Sequence, residues 1–487
     1  MKIRLFTVKD HARTPFLQVD RSFCRELIFT LIKYHKRILL LCFHGSRKWG
    51  NRLNGNNSFI ASKGESMTKS LKAILTTSML LIVLISAGCS DSSDSTSNVT
   101  ITKKSMYYEV NIDYSSGNRY GIGREYGTKV LSMVPTYEAG GDAFVEASVS
   151  GLPPEITYEV LIQRALEISK NVKSQYMDEI EGFASVLSGG TVNELGDGKL
   201  SRDEFLMINF DPDIATDHGC SATAVFGSRS ATGQTILGRN TDWAAIPGIP
   251  TGVVYSKTGE KQVVSFVLLG MVGVIVGINS DGIFVSNLYG DNMPATEFPY
   301  SAVGKRSVML DIREALETLS TIDEVGAFLG DPSRLYAYHN HMFIADKNTA
   351  KVLENDYERN RALRVFDSEL NPGVTWGISN AIACVNGFVL KGNYDSFTDY
   401  PVEYERWANF KTMLTQNGDT VDIDQIRTIM SYHKSGAGGM NDGDIYNRGT
   451  IQSMAYSYSE NRLEFWLGNF EDDPQYETIS IPFLEGQ

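Results

Sequence analysis

Cys220 stands in Asp217-His218-Gly219-Cys220-Ser221-Ala222-Thr223, and Gly238-Arg239-Asn240-Thr241-Asp242-Trp243 follows shortly after. A thiolate is the strongest side-chain nucleophile, but a thiol with a pKa of about 8.5 needs activation. Three devices are within reach. Hydrolysis of the Gly219–Cys220 bond would give Cys220 an α-amino group with a pKa of about 7.7–8.0, neutral often enough at pH 7 to serve as general base for its own thiol. Arg239 would lower the pKa of thiol and amine through its charge. Asp242 would hold the ammonium formed when the amine takes the proton. The β-rich runs Ser221–Gly227 and Gln234–Thr241, joined through Ala231-Thr232-Gly233, predict a hairpin that turns Arg239 and Asp242 back onto Cys220.

The elements that must position these residues change character at Cys220. Upstream, Ser105 to Val149 shows no clear periodicity. Within it, Gly121-Ile122-Gly123-Arg124-Glu125-Tyr126-Gly127 has the wrong spacing for a dinucleotide loop. Apolar residues recur at helical spacing from Glu155 to Leu187. Ser201 to Ile208 reads as a second helix with a Ser201/Glu204 capping pair. Between them, Asn193 to Glu204 resembles half a calcium loop, but Leu195 cannot ligate, so it reads as a turn. Downstream, short β-rich runs follow at Gly252–Lys257, Gln262–Leu269, Val272–Gly277 and Gly282–Leu288. Helices are expected at Arg306–Leu329, with Glu314, Glu317 and Asp323 facing out, and at Val402–Leu414 and Asp422–Tyr432. Strands are expected at His341–Ala345, Ala350–Glu354, Thr450–Tyr458, Arg462–Leu467 and Glu477–Ile481. Hairpin sheets alternating with helix pairs predict an α+β layered domain.

The 487 residues carry a formal net charge of -13. The basic excess lies in residues 1–66, so the rest is strongly acidic, which argues against nucleic acid and against broad contact with anionic head groups. Of five cysteines, only Cys220 and Cys384 lie beyond Cys89. That is too few for a disulfide framework, and both are expected free. His339 and His341, without a nearby Cys or carboxylate pair, do not make a zinc site. No cofactor or metal is called for.

Residues 67–89 read as a signal segment: a basic start, the apolar run Ala73–Ile85, then Ser86-Ala87-Gly88-Cys89. Its end resembles the lipobox of bacterial lipoproteins, which implies lipidation of Cys89, a membrane anchor, and a cell-envelope location facing periplasm or exterior. Residues 90–104 are expected to be a flexible tether. Residues 1–66 make no sense before such a signal, which points to Met67 as the start. A genuine anchor at Leu27–Phe43 is the alternative, and that run is broken by Lys33, Lys36 and Arg37.

Taken together, Gly-Cys-Ser-Ala-Thr and Gly-Arg-Asn-Thr-Asp-Trp resemble the N-terminal-nucleophile hydrolases of the acyl-coenzyme A:6-aminopenicillanate acyltransferase family. They are similar, more distantly, to choloylglycine hydrolases, penicillin V acylases and acid ceramidase. The resemblance covers roughly residues 155–487 and includes Tyr176–Ala184, Phe205–Asn209, Gly277–Ile283, Ser286–Tyr289, Asn393-Tyr394-Asp395 and Gly449–Met454. It implies a four-layer αββα sandwich, autocatalytic cleavage between Gly219 and Cys220, and attack on linear non-peptide amides. The pre-cleavage segment would be 105–219 and the catalytic segment 220–487. By the same resemblance Cys220 is the nucleophile, and Arg239 and Asp242 position and tune its amine. Asn287 would give a backbone N–H to the oxyanion, and Asn393 a side-chain amide. Asn386 competes with Asn393, which is preferred. Arg406 and Arg448 are both candidates for a late functional arginine.

These expectations describe a self-processing cysteine amidohydrolase that cleaves an N-acylated small molecule through a thioester. Acyl transfer to an amine remains open, as does a non-catalytic binding lipoprotein. The stretch 244–251 after Trp243 is a candidate pocket wall.

Overall fold

In the computed structural model the described residues are 97–486, apart from 155, 215–217, 244–247, 291–300, 358, 400, 435–442, 469 and 471–473. The signal segment, Cys89 and residues 90–96 of the expected tether lie outside them. The remainder of that tether is not loose: Val99–Lys103 is strand β1, paired with β2 (Tyr108–Asp113).

Two sheets organise the α+β chain. The larger takes nine strands in the order β1, β2, β5 (Thr251–Thr258), β6 (Lys261–Leu268), β7 (Val276–Asn279), β8 (Phe284–Tyr289), β9 (Asn340–Ala345), β10 (Ala350–Asn355) and β11 (Arg361–Arg364). All neighbours are antiparallel except β2 and β5. The smaller has the order β12 (Ala381–Cys384), β3 (His218–Val225), β4 (Ile236–Trp243), β13 (Thr450–Ser457), β14 (Arg462–Leu467) and β15 (Glu477–Ile479). The predicted hairpin is β3–β4. Strands β11 and β12 had no sequence prediction.

Strand periodicity divides the smaller sheet between two cores. Ala222, Ala224, Leu237, Met454 and Phe465 join the core shared with the larger sheet. Val225, Ile236, Ala383 and Ala455 join a second core with Trp407, Phe410 and Ile426. Those three belong to helices α8 (Pro401–Gln416) and α9 (Ile423–Met430), and α9 packs on β4 and β13. It starts with a capping box, Asp422 with Gln425. It comes close because Gly238 has no side chain: a Cβ there would sit 2.4 Å from Met430 Cγ. On the larger sheet, α6 (Val308–Thr318) lies over β6–β8 and α7 (Ile322–Leu329) against β9.

Five helices precede Cys220: α1 (Arg119–Met133), α2 (Tyr137–Ser150), α3 (Tyr158–Ser169), α4 (Ser174–Ala184) and α5 (Arg202–Ile214). Helices α1 and α2 occupy the stretch expected to lack periodicity. The glycine run at 121–127 is part of α1, where Gly123 and Gly127 are buried against α4. The single helical pattern from 155 to 187 is two helices, broken where the Asn171 amide donates to Lys305 O at 3.0 Å. The Ser201/Glu204 cap forms in both directions.

One expected surface is buried. Glu314 and Glu317 are each 7% exposed, and only Asp323 faces out. Glu317 accepts from Arg313 at 3.0 Å and lies 3.7 Å from Arg119. Glu179 of α4 meets the same arginines at 3.0 and 3.4 Å. Two buried guanidiniums against two carboxylates balance formally, and neither pair could lose a member cheaply. This cluster ties α1 and α4, which precede Cys220, to α6, which follows it.

A Cβ at Gly182 would lie 2.1 Å from the carbonyl oxygen of Tyr120, and backbone cannot rotate away. Gly182→Ala is therefore expected to cost about 1–3 kcal/mol in denaturant unfolding, despite alanine's better helix propensity. An unchanged or raised midpoint would refute this close helix seam.

Candidate active site

The β3–β4 register sets Cys220 opposite Thr241, Gly219 opposite Asp242, and Ala222 opposite Arg239. Arg239 therefore shares the thiol's face of the sheet. Asp242, an odd number of residues away, leaves from the other face. The three-residue spacing, expected to bring both side chains to one point, straddles the strand instead.

On the inner face, Arg239 is fully buried. Its Nη2 lies 3.1 Å from Cys220 Sγ and donates to Asn287 O at 3.0 Å, while Nε donates to Ser286 Oγ at 2.7 Å. Strand β8 thus clamps the guanidinium against the thiol. Burial pushes the Cys220 thiol up from its ordinary pKa, and Arg239 only partly opposes that. The expected lowering is outweighed because the thiol is buried. Beside Sγ is a small cavity of about 20 Å³, lined among others by Pro212, Asp242, Trp243, Asn287, Tyr289 and Tyr338.

On the outer face, the backbone N–H of Cys220, the amide of the Gly219–Cys220 bond, donates to Asn386 Oδ1 at 3.0 Å. Arg406 Nη1 donates to the same oxygen at 2.8 Å and to Glu403 at 2.9 Å. Its Nη2 reaches Asp242 Oδ2 at 2.9 Å and Cys220 O at 3.1 Å. Burial alone would lower the Arg406 pKa, but Glu403 and Asp242 outweigh it and raise it. Asn447 and Thr450 complete the Asp242 shell at 3.1 and 2.6 Å. Asn386 is held by Tyr289 O and Glu403, and its carbonyl meets His341 Nε2 at 3.0 Å. Burial lowers the His341 pKa, which favours a neutral ring there.

Of the predicted site residues, Cys220, Arg239, Asp242 and Asn287 come together. Asn393 does not: its amide donates to Glu354 at 3.0 Å and its oxygen accepts from Asn360 N–H at 3.1 Å. Asn386, its competitor, meets Cys220 instead. The N–H of Asn287, expected at an oxyanion, donates to Ile275 O at 2.9 Å, while its side-chain amide donates to Tyr338 Oη at 2.7 Å. Between the two arginines, Arg406 is in the site and Arg448 is exposed. Cys384 is free and buried, as is Cys220. Ser286 and Thr450 fall in segments that carry the resemblance but were given no role, and Glu403, Tyr338 and Asn447 were not singled out from sequence. No motif marks those three; only Arg406 with Glu403, three apart in a predicted helix, offered a signal. Among the described residues no cluster of three His, Cys, Asp or Glu is placed to hold a metal ion.

Helix α5 brings the chain to Cys220, and its residues from Glu204 to Ile214 are all buried. Asp213 accepts from Val308 N–H at 3.0 Å. Burial pushes its carboxyl up to about 7, against the Ser307 and Val308 hydrogen bonds, with Asp311 and Asp211 adding to the rise. Below pH about 4 both folded and unfolded carboxyls are protonated. Between about 4 and 7 only the unfolded one ionises, so stability falls as pH rises. Asp213→Asn is expected to exceed wild type by on the order of 2–4 kcal/mol above pH 7, with the gap closing toward pH 4. Denaturant melts across that range check it, and a pH-independent gap would contradict it.

No protein-family model matches this chain, and no curated protein sequence does. Solved structures show distant structural similarity. A Caenorhabditis elegans N-acylethanolamine-hydrolyzing acid amidase ortholog has 14% identity and a TM-score of 0.31, over 49% of this chain and 92% of that one. A variant of conjugated bile acid hydrolase from Clostridium perfringens has 12% identity and a TM-score of 0.33, over 55% and 94%. Penicillin V acylase from Agrobacterium tumefaciens has 12% identity and a TM-score of 0.34, over 55% and 88%.

Proposed function

We propose that this chain is a self-processing cysteine amidohydrolase acting on an N-acylated small molecule. The observation that carries the reading is that Cys220 is held at both its reactive ends. Arg239 meets its sulfur, and Asn386, backed by Arg406 and Asp242, meets the nitrogen that a cut would turn into an amine. A structural cysteine needs neither. The finer resemblance to the penicillanate acyltransferase family, with its four-layer sandwich, belongs to this proposal, as does a lipid anchor at Cys89 in a bacterial envelope.

In the proposed sequence the thiol first adds to the Gly219 carbonyl and displaces the Cys220 nitrogen, which takes the thiol proton. Water then hydrolyses the resulting thioester. The freed α-amine, oriented by Asn386 and stabilised as ammonium by Asp242, accepts the thiol proton when substrate binds. Sulfur attacks the amide carbonyl, the protonated amine returns its proton to the leaving amine, and water releases the acid. Two groups on the cavity wall, the Tyr338 hydroxyl and the Asn287 amide, are the proposed donors to the oxyanion. Losing one such donor typically costs about 10²–10³ in rate.

Denaturing electrophoresis with N-terminal sequencing tests this. The purified wild type should yield a fragment beginning at Cys220, and Cys220→Ala a single uncut chain with amide hydrolysis down about 10⁴-fold or more. A wild type that stays whole, resists a thiol-directed acylating probe and hydrolyses no amide would overturn the reading. Product analysis with an added amine separates hydrolysis from acyl transfer.

A further inference from the structure

Once the Gly219–Cys220 bond is cut, the nitrogen of Cys220 becomes an amine, and the groups already around it decide how it holds a proton. Asn386 Oδ1 accepts both the Cys220 N–H at 3.0 Å and Arg406 Nη1 at 2.8 Å. An ammonium in that place would share one acceptor with a guanidinium. Arg406 Nη2 also donates to Asp242 Oδ2 at 2.9 Å, so the carboxylate proposed to receive the ammonium is already paired with a cation. By themselves Arg406 and Asp242 cancel, and no net charge favours the ammonium.

Glu403 changes that balance. It stands in the first turn of α8, where the helix dipole favours an anion, and Arg406 follows one turn later. Its two oxygens have different partners: Oε1 accepts from Arg406 Nη1 at 2.9 Å, and Oε2 from the Asn386 backbone N–H at 2.7 Å. One carboxylate thus holds both the residue that meets the Cys220 nitrogen and the cation that crowds it. Glu403 and Arg406 are 5% and 3% exposed, so solvent ions screen little of this charge. Other ionisable groups nearby do not compete. Arg239 of β4 meets the sulfur on the opposite face. Glu354 of β10 and Arg364 of β11 pair at 2.7 Å and cancel formally. Burial lowers the pKa of His341 on β9 and raises that of the Cys384 thiol on β12, which favours the neutral form of each.

We propose that Glu403 is a positioning residue for the processed amine: by neutralising Arg406 it leaves the charge of Asp242 to the ammonium, and so sets the pH at which the amine can take the thiol proton. The transfer moves one proton from Sγ to the α-nitrogen, and Glu403 itself neither gains nor loses one. This rests on the reading of Cys220 as a processed nucleophile.

The test uses the processed full-length protein and follows alkylation of Cys220 by iodoacetamide across pH, which needs no substrate. Removing an anion lowers the pKa of both the amine and the thiol, which titrate as a pair. In Glu403→Gln the first rise in alkylation rate should therefore move to lower pH by about one unit. In Arg406→Gln, which removes a cation, it should move up by a similar amount. The double variant has the formal charge of wild type, and its rise should return toward the wild-type pH. A rise that stays at the wild-type pH in Glu403→Gln, or that lies further away in the double variant than in either single one, overturns this inference alone. If Glu403→Gln stays uncut, the double variant should cut, and its failure to do so makes Glu403 a mere support for the fold and overturns the inference. A wild type that is not cut at Cys220, or whose thiol alkylates at no pH, overturns the amidohydrolase reading and this inference with it.

Discussion

The register of β3 against β4 is the constraint on which the site depends. Cys220 lies opposite Thr241, so its thiol enters the space between the sheets while the groups that meet its backbone nitrogen come from the outer side. A slip by one residue would exchange every face at once. It would drive the thiol into the core with Trp407 and Phe410, and carry Arg239 away from Ser286 and Asn287. Burial on both faces fixes this register: Ala222 and Leu237 pack inward, Val225 and Ile236 outward. The nucleophile's placement is therefore a property of the two cores, not of a flexible loop.

The charges around Cys220 are sorted in the same way. On the inner side Arg239 meets the sulfur, and a thiolate there would balance its charge. On the outer side Asp242, Arg406 and Glu403 sum formally to one negative charge, within hydrogen-bonding reach of one another. An ammonium on Cys220 would bring that sum to zero.

What could be read from the sequence was local. The hairpin carrying Cys220, Arg239 and Asp242 has period-two apolar residues and a glycine turn, and its strands form close to the expected limits. The capping pair at Ser201 and Glu204 was legible for the same reason. Three kinds of feature were hidden. Helix α1 packs through glycines, so its buried stripe carries little apolar signal. Glu314 and Glu317 look like a solvated face until Arg313 and Arg334 are seen to cover them. Asn386 and Asn393 both follow a short strand in irregular chain, and only long-range contacts with Cys220 or Glu354 tell them apart. Arg406 meets Asp242 across 164 positions of sequence, a separation over which spacing carries no information.

The pairing of Gly219 with Asp242 gives the proposed cut a direction. A Cβ at Gly219 would lie 3.4 Å from Asp242 Oδ2, so the carboxylate already rests against the residue before the bond. Hydrolysis would turn Gly219 into a second carboxylate at that place. Two such anions in a buried site repel strongly, and the severed tail would be pushed off the edge of Trp243 that His218 now pairs with. The departing end could not easily return to be rejoined. The same carboxylate that receives the new ammonium would act as a ratchet, holding one product of the cut and ejecting the other.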